Sequence, residues 1–439
     1  MPRQVYRAAL FHLLDDPAQT RAPLDGYFAD GALMVEDGHV VRAGPWAEIG
    51  PTLPPGTAVE RFDNALIVPG FVDAHVHYPQ LDIIASPAPH LMDWLDTHTF
   101  PSELRFADRA VADEAAAFFL DELLRHGTTT ALVYATVHKA SVDALFTAAK
   151  TRNMRIVSGK VLMDRNAPDG LRDTAETGRH ESEDLIRAWH GKGRLTYAVT
   201  PRFVVTSTEA QLAGAGRLVK DHPGVLMHTH LAENHEEIAE VRRLFPDCAD
   251  YLGVCEKFGL VTDRSVFAHC LHLSESEWRR MGAAGSAIAF CPTSNLFLGS
   301  GLFDAAKAHE HHVPVGLGTD VGGGTSLSLL QTMNEAFKVG QLRRQMQSPF
   351  QLFYLATLGG AKALRLDSHI GNFAPGKEAD FLVLDLAATP LLERRTAYAN
   401  APAELLFALA MLGDDRAVAR TYVAGALAHS RLDNRPSAK

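Results

Sequence analysis

Only four cysteines occur in 439 residues, Cys248, Cys255, Cys270 and Cys291. They are too few and too irregularly spaced for a disulfide framework, and the C-x6-C pair fits no common zinc spacing. Free thiols buried in a reducing compartment are expected. Long apolar runs are lacking too: no stretch approaches the roughly 18 uninterrupted apolar residues of a spanning helix. Met1 to Pro17 carries Arg3 and Arg7 and then FHLL, without an apolar core of signal-peptide length. A cytoplasmic location with no membrane partner is therefore expected. Positive charge is in short supply, with 42 Lys+Arg against 52 Asp+Glu and a net charge of −10. Phosphate binding rests on Lys and Arg, so nucleic acid is not an expected partner. There is no short-period repeat and no low-complexity tract. A hydrophobic fraction of 46 % excludes wholesale disorder. The length suits two or three domains, or one large barrel with a smaller attachment.

What is abundant is histidine: 21, half as many as Lys and Arg combined. Their meaning depends on where they fall. Eight compact apolar runs, each ending in polar residues, alternate with helix-like stretches such as 110–127 and 207–222. The runs are ALIVPGFVDAHVH (65–77), TTTALVYATVH (128–138), RIVSGKVLMD (155–164), LTYAVTPRF (195–203), GVLMHTHLAE (224–233), SVFAHC (265–270), SAIAFCPTSN (286–295) and VPVGLGTD (313–320). Continuous apolar runs between helices indicate a parallel sheet covered on both faces. Eight such units over about 255 residues match a (β/α)8 barrel. An open doubly wound sheet would carry a glycine-rich turn after its first strand, where this chain has AHVHYPQ. The expected fold is α/β, a (β/α)8 TIM-like barrel with a small β-sandwich domain formed from both termini. Asp37-Gly38 amid alternating residues signals a hairpin, and 374–386 and 420–430 read as returning strands. The expected division is 1–66 plus 372–439 for the small domain and 67–371 for the barrel. The long stretch 78–109 should build a lid or wall over the barrel mouth.

His75 and His77 stand at i and i+2 and so share one face of strand one, at the end where barrels keep their chemistry. His228 and His230 repeat the spacing on strand five, His269 ends strand six and Asp320 ends strand eight. A lone histidine on an apolar strand is usually a core residue. Imidazoles and a carboxylate gathered at several strand ends instead describe a divalent-metal site, such as zinc with an open position. Glu233, three residues past His230, is the natural proton shuttle, although a carboxylate at a helix start also fits there. His126, His138, His222, His309, His311 and His312 read as structural or surface residues.

PGFVDAHVH, HTHLAE, FAHC and GTD, in this order, resemble the amidohydrolase superfamily, as does APGKEADFLVLD near the C-terminus. Members with two metals usually have a carboxylated lysine at the end of strand four. This chain has Thr200-Pro-Arg-Phe203 there, with Lys160 at strand three, which favours a mononuclear site of the deaminase type. HVHYPQ (75–80), DWLDTHTFPSE (93–103), TPRF, HTHLAEN, FCPTSN and LGTDVGGG are similar to the guanine deaminase family. That resemblance implies one Zn2+ per subunit at His75, His77, His230 and Asp320. It also implies catalytic roles for Glu233, His269 and Asp320 and guanine contacts at Gln80, Arg202 and Phe203, in a homodimer acting in purine breakdown. Arg202 offers a forked donor to a carbonyl such as O6, Gln80 offers one acceptor and two donors, and Phe203, Trp94 and Phe100 can supply aromatic walls. The alternatives are an aminohydrolase for a triazine, a pterin or another purine, and a catalytically dead structural relative.

Overall fold

A computed structural model describes residues 3–18, 25–88 and 91–431. Eight parallel strands follow one another around a barrel: β1 (Phe71–His77), β2 (Thr128–Tyr134), β3 (Arg155–Gly159), β4 (Thr196–Pro201), β5 (Leu226–Leu231), β6 (Ser265–His269), β7 (Ala287–Phe290) and β8 (Val315–Leu317). Each pairs with the next in chain order. The end of β8 meets β1 through Asp320 N–H to His75 O (2.9 Å) and Val321 O to His77 N–H (2.8 Å). Asp73, fully buried, ties the same seam by accepting from the backbone of Thr319 (3.0 Å) and from its hydroxyl. The intervening helices start at caps that the sequence supplies. Asp108, Thr174, Thr208, Asn234 and Ser274 each accept a first-turn N–H that would otherwise lack a partner.

Side-chain parity explains how the strands deliver chemistry to the mouth. Val72 and Ala74 lie in the barrel interior with Leu132, Val157, Ala198 and Leu226. Strict alternation would turn His75 outward. The β1–β2 register shifts between Asp73 and Val76, and this bulge brings His75 and His77 onto the inner face. On β6 the interior residues are Val266 and Ala268, so His269 also falls on the wrong parity. Its backbone adopts φ +70°, a left-handed conformation uncommon for a non-glycine residue, and the side chain turns to the mouth. Ala232 (φ +51°) and Asp320 (φ +50°) share this conformation. Such strain gathers at sites where the surrounding structure enforces it.

The strands from the two termini, expected as a small sandwich, form one seven-stranded mixed sheet. Its order is Ala426–Ser430, Val418–Val423, Phe381–Asp385, Val59–Pro69, Gln4–Phe11, Tyr27–Glu36, His39–Pro45. The hairpin turns at Asp37 and Gly38, both with positive φ (48° and 79°), which is the combination a two-residue I′ turn requires. Two helices, Pro390–Ala397 and Pro402–Leu412, lie between the C-terminal strands. The strand pattern gives no hint of them, though each starts with proline at its first position. A near-buried ion cluster fastens this sheet to the foot of the barrel. Glu378 takes Arg155 Nε (3.0 Å) and Arg194 Nη2 (2.7 Å), and Arg194 Nη2 also reaches Asp380 (2.6 Å). Glu378→Ala would leave two buried guanidinium groups short of a partner. It is expected to cost about 3–5 kcal/mol, read as an earlier denaturant midpoint; an unchanged midpoint would refute that role.

The described residues of the 78–109 stretch form a series of short helical turns: Tyr78–Ile83, Leu91–Trp94, Leu95–Thr99, Phe100–Leu104 and Arg105–Ala107. It does wall the mouth, through Leu91, Trp94 and Leu95.

Candidate active site

At the C-terminal ends of the strands, His75 Nε2 and His77 Nε2 stand 3.1 Å apart, and both face Asp320 Oδ1, at 3.1 and 3.3 Å. His230 stacks on His77 with ring centroids 5.3 Å apart, and His269 stacks on His230 at 5.5 Å. Ring atoms of His75, His230 and His269 lie within 4.8 Å of one another. Outer contacts settle which nitrogen turns inward. His230 Nδ1 lies 2.7 Å from the Arg202 carbonyl; a carbonyl only accepts, so Nδ1 carries the proton and Nε2 keeps its lone pair. His75 Nδ1 is 2.8 Å from His228 Nε2, so His228 supports the cluster from behind. Three imidazoles and one carboxylate converging in this way are a donor set suited to zinc. The Nε2 atom of His269 is buried without a hydrogen-bond partner, and its Nδ1 is held by Asn295 Oδ1 at 2.8 Å. The site therefore fits a divalent cation at His75, His77, His230 and Asp320, with His269 facing that point.

Burial opposes ionisation of Asp320, yet the imidazoles of His75, His77 and His269 around it hold its carboxyl well below the usual range. The opposite holds for Glu233, where burial dominates and pushes the carboxyl up. Two carboxyls in one site are thus biased apart, one toward the anion and one toward holding a proton. Glu233 Oε1 accepts the Ser300 hydroxyl at 2.9 Å, and Oε2 lies 3.5 Å from His269 Nε2. It precedes the helix cap, which is Asn234, so the carboxyl is not spent on capping. Glu237, in the first turn of that helix, caps the Glu233 N–H at 2.8 Å; burial pushes its own carboxyl up to about 7.

A cavity adjoins the cluster, and Gln80, Trp94, Arg202, Phe203, Glu233 and Asp320 are among the residues that line it. The expected recognition residues therefore come together, with three differences from the sequence reading. Arg202 is engaged: Nη1 donates to both oxygens of the fully buried Glu103, at 2.9 and 2.8 Å. Gln80 is half spent, since Nε2 donates to Glu103 (3.1 Å) and Oε1 accepts from Gly322 N–H (3.2 Å). One amide N–H and one lone pair remain. Trp94 lines the cavity with its indole N–H satisfied by Ser86 O at 2.9 Å. Phe100 lies not on the cavity wall but beneath the Arg202 guanidinium, 5.6 Å from its ring centre.

Residue-type reasoning passed over Glu103, Asn295, Ser300, Asp73 and Tyr134, whose ring stacks on His77 at 4.5 Å. The first two stand at the ends of the DWLDTHTFPSE and FCPTSN segments, so motif position was a signal for them. Ser300 carried none. Lys160 is buried outside the site, with Nζ on Asp173 at 2.5 Å. His311 pairs with exposed Glu275 beyond the opposite end of β8, and Lys307 braces the same carboxylate, so that cluster is structural. The four cysteines form no disulfide, and three are buried. Among the described residues no helix is long and apolar enough to cross a membrane.

The chain matches the Amidohydrolase family over residues 66–428. It is 51 % identical over 418 residues to guanine deaminase from Escherichia coli (strain K12), covering 95 % of both chains. The solved structure of E. coli guanine deaminase superposes with a TM-score of 0.95 at 49 % identity, covering 98 % of this chain and 100 % of that one. Guanine deaminase from C. acetobutylicum, solved with guanine bound in its active site, gives a TM-score of 0.88 at 28 % identity over 97 % and 99 % of the two chains. The family match begins in the strand that leads into the barrel and ends in the last strand of the terminal sheet, so the chain belongs to the amidohydrolase family.

Proposed function

We propose that this protein hydrolyses guanine to xanthine and ammonia, with one zinc per subunit held by His75, His77, His230 and Asp320. The observation that carries the reading is the meeting, in one cavity, of the histidine–aspartate cluster with the donors of Arg202 and Gln80. The likeness to guanine deaminases along nearly the whole chain supports it. When bound, the zinc supplies Lewis acidity and lowers the pKa of a coordinated water to about 7.

The side chains do the rest. Arg202 and Gln80 hold the planar base by its polar edge, Arg202 taking O6, while Phe203 and Trp94 pack against the ring. Asp320 and His269 orient the attacking water toward C2. A C–O bond forms there as one water proton passes through Glu233 to ring N3. The carbon is now tetrahedral, bearing a hydroxyl and the amine. The hydroxyl proton is then transferred by way of Asp320 and Glu233 to the amine, the C–N bond breaks, ammonia leaves and the C2 carbonyl closes. The low ionisation range of Asp320 and the raised one of Glu233 suit these two duties. The neutral base needs no basic surface, in keeping with the net charge of −10. With this reading go the homodimer, the cytoplasmic location and the place in purine breakdown expected from the resemblance. The test is stoichiometry: one ammonia and one xanthine for each guanine consumed. Loss of guanine without ammonia would refute it.

A further inference from the structure

The buried carboxylate of Glu103 stands where the mechanism above gives it nothing to do. It belongs to the helical wall that follows β1, in the turn Phe100–Leu104, and is fully enclosed. Its partners are the two residues that grip the substrate in the proposed function: Arg202 from the end of β4 and Gln80 from the turn after β1. From this geometry we infer that Glu103 is a positioning and specificity-determining residue, a clamp that fixes which donors and acceptors of Arg202 and Gln80 face the base. The inference rests on the guanine reading.

Three features support it. First, a carboxylate only accepts, and Gly322 N–H only donates, so together they fix the Gln80 amide one way round: nitrogen to Glu103, oxygen to Gly322. The recognition edge of Gln80 is thereby reduced to one N–H and one lone pair with set directions. Second, both oxygens of Glu103 bind the same guanidinium nitrogen, Nη1. The remaining donors of Arg202 stay available to the cavity, and the plane is further held over Phe100. Third, the pair is closed off from water, with side chains 4 % and 0 % exposed, so its charges cancel where solvent cannot screen them. The grip thus presents directional hydrogen bonds without a net positive charge. That suits an uncharged purine and disfavours an anionic one.

Glu103→Gln is the isosteric test. One arm of the new amide is a donor facing the donors of Arg202 and Gln80, so the clamp is half lost. We expect the variant to retain its zinc and to keep kcat within about threefold of wild type. Its KM for guanine should rise by about 10- to 100-fold, the scale of a misplaced binding group. Inhibition by urate, an anionic purine at neutral pH, should strengthen because Arg202 is no longer neutralised. In an Arg202→Ala background the same change should give a smaller further rise in KM, the part carried by Gln80. Glu103→Asp keeps the charge and gives an intermediate KM, which covers the case in which the amide variant fails to fold. An unchanged KM, or a fall in kcat at constant KM, overturns the clamp. Wild-type turnover of guanine, measured alongside, decides the guanine reading separately. If wild type leaves guanine intact, the crystal structure of the Glu103→Gln variant still decides the clamp: Arg202 is expected to leave its place over Phe100, and an unmoved guanidinium overturns the inference.

Discussion

A Glu233→Gln variant is expected to bind its full complement of zinc and to lose about 10²–10⁴ in kcat, the usual contribution of a positioned general acid–base group. The substitution isolates the proton. A glutamine Oε1 still accepts the Ser300 hydroxyl that Glu233 accepts at 2.9 Å, and its size fills the same buried volume. It cannot carry a proton from water to a ring nitrogen. Glu233 is also not among the groups that fit the cation, so metal analysis should return the wild-type ratio while turnover falls. Near wild-type turnover would remove Glu233 from the mechanism. Loss of zinc together with activity would make it a ligand instead.

The second large effect is expected on removing the metal. Without a cation, the converging lone pairs of His75, His77 and His230 and the Asp320 carboxylate face one another at the strand ends. Dialysis against a strong chelator should abolish turnover, by at least about 10³-fold, since activation of water by a divalent ion is worth several kcal/mol. Zn2+ added back should restore activity and also raise the thermal midpoint, because an ion that binds only the folded chain stabilises it by mass action. Full activity in chelated, metal-free protein would contradict the assignment. Zinc is the expected ion, although imidazole–carboxylate sites accept neighbouring divalent ions as well.

Much of this architecture was legible in the sequence because a barrel strand, buried on both faces, must be a continuous apolar run. Each of the eight runs holds a barrel strand, and 155–164 also holds the two-residue strand Val161–Leu162, which pairs with β4. Their ends were overestimated: the run 286–295 contains only a four-residue strand, and a helix begins at Pro292. The C-terminal ends of such runs are their polar part and belong to the loops and helix starts of the mouth, outside the strand pairing. The H-x-H spacing of His75 and His77 predicted a shared face, and they do share it. The bulge that turns that face inward left no mark in the pattern. Nor did the positive φ at His269, whose ring is held by Asn295, 26 positions away. Glu103 was hidden for another reason. A buried carboxylate needs a cation or hydrogen-bond donors opposite it, and the cation that Glu103 faces, Arg202, lies 99 positions away, a pairing that no local window contains. Arg202 does line the cavity, and its Nη1 is engaged in an ion pair with Glu103. That pair constrains the donors that remain.

The proposed function requires a cavity shaped for guanine rather than for aminated heterocycles at large. The most direct measurement is kcat/KM for guanine against adenine, cytosine and melamine, followed by ammonia release at fixed enzyme and zinc. Arg202 and Gln80, held by Glu103 and Gly322, present a fixed hydrogen-bonding edge. A partner lacking the O6 and 2-amino arrangement leaves those buried groups unpaired, which is worth about 10⁴–10⁵ in discrimination. A preference for guanine on that scale is expected. Equal or greater kcat/KM for any of the other three would contradict it.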